Sequence, residues 1–91
     1  MIKINMGSGW RNFGDDWIHI DGGDYEHLDY KSITNLQFKD NSVSLIYASH
    51  VIEYFDRKEV LSLFKEWRRV LKTDGTLRIA VPNFENISQL Y

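Results

Sequence analysis

The feature that most constrains the fold is a strand, helix, strand run in the second half of the chain. Val43-Ser44-Leu45-Ile46-Tyr47-Ala48 is rich in β-branched and aromatic residues, the composition of a strand. Asp56 then opens a helix, with Glu59 three residues on in a capping-box arrangement. Over residues 57–71, Val60, Phe64, Trp67 and Leu71 recur at spacings of 4, 3 and 4, widened by Leu61, Leu63 and Val70. That stripe is expected to face the core, with Tyr47 inward beside Val43 and Leu45. Thr73-Asp74-Gly75 is expected to end the helix, Gly75 serving as a left-handed cap or turn. Thr76–Val81 returns as a strand that Pro82 stops. Two strands joined through a helix call for parallel pairing and a right-handed crossover, so the chain is expected to be an α/β domain.

The first half adds shorter strands and turns. Residues 2–6 alternate Ile-Lys-Ile-Asn-Met, a period of two with one apolar face. Gly7 to Asp16 is polar, turn-rich and too glycine-rich for a helix of normal length. Trp17 to Asp21 alternates again, Gly22-Gly23 breaks it, and residues 22–32 read as loop. Ile33-Thr34-Asn35-Leu36 is a candidate third strand, followed by a turn at residues 38–42. Val51–Phe55 reads as one helical turn, and Phe84, Ile87 and Leu90 suggest a short final helix.

A strand running into Gly7-Ser8-Gly9 lets backbone approach a ligand closely, because no Cβ stands in the way. Asp21, at the tip of the next strand, is placed to accept the hydroxyls of a ribose. Together they suggest a nucleoside-type cofactor site. A nicotinamide fingerprint fits poorly, since it wants a third glycine opening a true helix and an acid about 20 residues on.

Ninety-one residues make one small domain, expected to bury only about 60–65% of its unfolded surface. A formal charge of −2 supplies no basic field for nucleic acid, and Arg68-Arg69 with Lys65 and Lys72 reads as a solvated helix face. Without cysteine, disulfides and thiolate chemistry are excluded, which fits a reducing compartment. The alternating start argues against a signal peptide or membrane span, so the expectation is cytoplasmic. His19, His27 and His50 lack metal-ligand spacing, and no metal is expected.

Five blocks in order resemble the class I S-adenosylmethionine-dependent methyltransferases, closest to their type 11 group. They are Met6-Gly7-Ser8-Gly9, Ile20-Asp21, Leu36 through Ser42, Tyr47 through Glu53, and Glu66 through Gly75 continuing to Leu77–Pro82. The resemblance implies a Rossmann-like, mainly parallel sheet of order 3-2-1-4-5 and S-adenosyl-L-methionine as cofactor, with S-adenosyl-L-homocysteine as product. It implies that Asn5, Met6, Gly7, Ser8, Gly9 and Trp10 wrap the amino-acid end, while Asp21, with Gly22 beside it, holds the ribose. Ser32 would meet the adenine amino group, where the family often has an acid, with Ile33 packing on the ring. Ala48, Ser49, His50 and Val51 would face the cofactor from across the crevice, His50 being the candidate general base.

Against that family pattern the chain reads as a core truncated after its fifth strand, with few helices. Lys3, Asn5, Ser44 and Arg78 interrupt the apolar strands, and Trp17 and His19 share the polar face. An uncovered face and an open last edge predict a homodimer. The functional expectation is methyl transfer to an unidentified acceptor. The alternative is a non-catalytic, methyltransferase-like binding or regulatory subunit.

Overall fold

The computed structural model describes residues 1–49, 51–52 and 55–80. Four strands and one helix follow in the order β1 (Lys3–Met6), β2 (Ile18–Ile20), β3 (Val43–Ser49), α1 (Arg57–Val70) and β4 (Leu71–Ala80). The strands form one sheet of order β2-β1-β3-β4, and every pairing is parallel. The expected βαβ unit is therefore present as β3, α1 and β4.

Register sorts the side chains onto two faces, because paired residues in a parallel ladder point the same way. Ile4 aligns with Ile18, Ile46 and, through Ile46, Leu77; Met6 aligns with Ile20, Ala48 and Ile79. Helix α1 sets Leu63, Trp67 and Val70 into this face, and these residues form the core with Ile4, Met6, Ile20, Ile46 and Ala48. The helix begins as its sequence dictates. The Glu59 N–H donates to Asp56 Oδ1 at 2.8 Å and the Asp56 N–H to Glu59 Oε1 at 3.1 Å. Two members of the predicted stripe behave differently: Leu61 is exposed, and Leu71 leaves the helix to open β4.

The candidate third strand at Ile33–Leu36 does not form; the sheet's margin beyond β2 holds one isolated bridge, Ile20 to Tyr30. The order 3-2-1-4-5 thus reduces to its last four members. The cause lies in α1, whose side chains take the peptide groups that a strand would have paired. Trp67 Nε1 donates to the Ile33 carbonyl at 3.1 Å, and Glu66 Oε2 accepts from the Leu36 N–H at 2.8 Å. Arg69 donates to the carbonyls of Leu36 at 3.0 Å and Phe38 at 2.9 Å. Arg69 is accordingly no solvated surface cation but the tie between loop and helix.

Gly75 also differs from its expected part. The helix has already ended at Val70, and the Gly75 backbone is not left-handed. The ladder instead shifts register between Val43–Leu71 and Leu45–Thr76. A Cβ at Gly75 would lie 3.0 Å from the Lys72 carbonyl and 3.1 Å from that of Val43, so a side chain there would press on both backbone segments.

The second sheet face carries Lys3, Asn5, His19, Leu45, Tyr47 and Arg78. It is not bare. The segment between β1 and β2 folds back over it, with Phe13 edge-on to Trp17, Tyr47 and His19 at centroid distances of 5.1, 5.7 and 6.3 Å. Lys3 Nζ sits 4.9 Å above the Trp17 ring. Tyr47 therefore packs under this aromatic cover and not in the core beside α1. The Phe13 N–H donates to His19 Nε2 at 2.9 Å, which fastens the cover to β2.

The expected final helix and residues Val81, Glu53 and Tyr54 lie outside the described residues. Among the described residues no helix is long and apolar enough to cross a membrane.

Candidate functional site

Where β1 ends, the chain must turn sharply without leaving the carboxyl end of the sheet. Gly7 and Gly9 adopt left-handed backbone at φ +64° and +56°, a region costly for residues with a Cβ. At Gly7 there is also no room, because a Cβ would overlap Val51 Cγ2. The turn is anchored to β2, as the N–H groups of Gly7 and Ser8 both donate to the Ile20 carbonyl, at 2.7 and 3.1 Å.

One residue beyond β2, Asp21 closes the arrangement. Its Oδ2 accepts from the Gly9 N–H at 2.8 Å and its Oδ1 from the Gly23 N–H at 2.7 Å. These charge-assisted bonds orient the carboxylate, and each oxygen retains a further lone-pair direction. The glycine turn and the acid, separate signals in the sequence, are thus one hydrogen-bonded unit.

The unit borders a cleft of about 470 Å³ at the carboxyl ends of the strands, within the usual size range for small-molecule sites. Open α/β sheets bind ligands at this end. Of the residues singled out from the sequence, Asn5, Gly7, Ser8, Gly9, Trp10, Asp21, Gly22, Ile33, Ser49 and Val51 line it. Met6 and Ala48 do not; both are fully buried in the core beside α1, on the opposite face from Asn5 and Tyr47. Ser32 does not either. It is exposed, and its hydroxyl accepts from the Asn35 N–H at 3.1 Å, a local turn that uses the group expected to meet an adenine. His50 lies outside the described residues.

Two lining residues escaped the sequence reading, Arg11 and Phe55. Arg11 stands two places after Gly9, so its place beside the turn was available from spacing. Phe55 precedes the helix cap and carried no signal, because its position depends on the turn its N–H makes to the Ile52 carbonyl.

One polar group in the cleft lining is unsatisfied. Asn5 is 2% exposed, and its Nδ2 has no hydrogen-bond partner among the described residues. A buried amide donor without an acceptor costs about 1–3 kcal/mol, which a ligand acceptor would recover. Among the described residues no group of three His, Cys, Asp or Glu side chains is arranged to hold a metal ion.

Residues 16–79 match the family model described as a methyltransferase domain (type 11). Searches of curated proteins and of solved structures returned no match. The matched span contains β2, Asp21, β3, α1 and all but the last residue of β4, and it starts after the glycine turn. With most of its length inside that match, the chain belongs to the methyltransferase domain family of the class I S-adenosylmethionine-dependent methyltransferases.

Proposed function

We propose that this chain binds S-adenosylmethionine in the cleft and directs its methyl group to a small acceptor. The observation that carries the reading is the Gly9-to-Asp21 bond, which holds a close-approach backbone turn and an oriented carboxylate on one wall of a ligand-sized cleft. Members of the family typically bind this cofactor.

The residues present suit its parts. The free lone pairs of Asp21 would accept the ribose hydroxyls, and the Gly7–Trp10 backbone would border the amino-acid end. The orphaned Asn5 Nδ2 offers a donor to an acceptor on the ligand. Ile33 and Phe55 supply apolar surface on the lining for a ring. Bound there, the cofactor supplies an electrophilic methyl group on a sulfonium. The chain's own contribution is orientation and exclusion of water, which can account for much of the acceleration of an in-line displacement. His50 is the proposed base for an acceptor that must lose a proton.

Calorimetry with S-adenosylhomocysteine tests the reading. Wild type should bind it, and Asp21→Asn should weaken binding at least tenfold, about 1.4 kcal/mol. No binding at millimolar ligand would sink the proposal. Binding without methyl transfer to any acceptor would favour the non-catalytic subunit instead.

A further inference from the structure

The chain's two partly buried arginines, Arg11 and Arg69, are used in opposite ways. Arg69 places all five guanidinium N–H groups, on Glu66 twice, on Asp40 and on the carbonyls of Leu36 and Phe38. Arg11 is half-buried in the cleft lining and makes one side-chain bond among the described residues, Nη1 to Ser49 Oγ at 3.2 Å. It forms no ion pair among them. Asp21, the carboxylate among the described lining residues, is turned to the Gly9 and Gly23 N–H groups and forms no ion pair with Arg11. A guanidinium fork held by a neutral hydroxyl, with its other donors unspent, is suited to a bidentate anion.

Its neighbour supplies the second half of the argument. Trp10 lines the same cleft and is 77% exposed, so its ring is accessible to a ligand. The Arg11 guanidinium carbon lies 5.9 Å from the Trp10 ring centroid. A flat apolar surface and a charged fork therefore sit side by side. They stand at the end of the glycine turn, on the lining of the same cleft, and Arg11's bond to Ser49 ties them to the end of β3.

We propose that Trp10 and Arg11 form the acceptor end of the cleft, and that the acceptor is a small planar monocarboxylate. Its ring lies on Trp10 and its carboxylate is held by Arg11. Arg11 is the one cation on the described lining and offers a single fork, which suits one carboxylate. This inference rests on the methyl-transfer reading and narrows its substrate class.

The test uses benzoate and its neutral isostere benzamide as probes, titrated by calorimetry into the full chain with and without saturating S-adenosylhomocysteine. Benzoate should bind at least tenfold more tightly than benzamide. Arg11→Gln should abolish that preference while leaving S-adenosylhomocysteine affinity within threefold and the thermal midpoint unchanged. Arg11→Lys should retain part of the preference, and Trp10→Ala should weaken both probes alike. Equal binding of the two probes with S-adenosylhomocysteine in place overturns this proposal alone. Competition between benzoate and S-adenosylhomocysteine, with Arg11→Gln weakening the latter tenfold, would assign Arg11 to the cofactor and overturn the acceptor role. A benzoate preference without any S-adenosylhomocysteine binding would overturn the methyl-transfer reading and the acceptor role with it.

Discussion

Gly7 is where backbone conformation and space demand the same residue. Gly7→Ala would meet both the left-handed penalty and the Val51 side chain, so a loss of about 1–3 kcal/mol is expected, read from the urea midpoint. His19 makes a different demand. Its Nε2 accepts from the Phe13 N–H, so in this arrangement the ring is neutral, with its proton on Nδ1. Burial, then the neighbouring His27, hold its pKa below 6.5, against the opposing pull of Asp29. The unfolded chain therefore takes up the proton first as pH falls. The stabilising contribution of neutral His19 is complete above about pH 6.5 and drains as pH drops below it, toward the lowered folded value. Urea midpoints measured from pH 8 to pH 5 should fall in wild type and flatten in His19→Gln. The sequence showed His19 only as a residue on the polar face. Its bond to Phe13 depends on how the intervening loop folds back, which no periodicity encodes.

At the scale of elements, α1 is the part most plainly written in the sequence. Its cap, its start and most of its buried stripe follow from local spacing, and Asp56→Ala should cost about 1 kcal/mol of stability in chemical denaturation. The segment 33–40 was not legible in the same way. The composition of Ile33–Leu36 suits a strand, but the segment's carbonyls and amides are claimed by Trp67, Glu66 and Arg69, about 30 residues away. Arg69→Lys keeps the charge and loses the planar fork, so it should release this loop and cost about 1–3 kcal/mol, with faster amide exchange at Leu36. Hydrogen bonding to Arg69 also holds the Glu66 carboxyl below its usual 4.5, so stability tied to this pair is present above that pH and lost as pH falls through the lowered value. The candidate site divides similarly. Gly7, Gly9 and Asp21 stood out because turn and strand-end chemistry is local. That Met6 and Ala48 face away from the cleft follows from the sheet register, and the placement of Ser32 from its loop's own hydrogen bond.

For the whole molecule, the sheet has a helix on one face and an aromatic cover on the other. That cover weakens the case for association through the polar face, and it leaves the β4 edge. Nothing among the described residues pairs with the outer side of β4, and Leu77 and Ile79 are 37% and 40% exposed along it. We propose that a homodimer forms along this strand. Sedimentation velocity should show a dimer that Ile79→Lys returns to monomer; a monomer at every loading concentration would remove the proposal. The parallel order has one more consequence, for how the chain reaches this state. β1 lies between β2 and β3, and β3 in turn needs β4 on its far side. The centre of the sheet therefore depends on pairings distant along the chain, each closed only after loop entropy has been spent. Folding should accordingly be slow for so short a chain, on the order of milliseconds or longer. A fragment ending before residue 43 would hold β1 with one of its two neighbours and no helix to bury its apolar side.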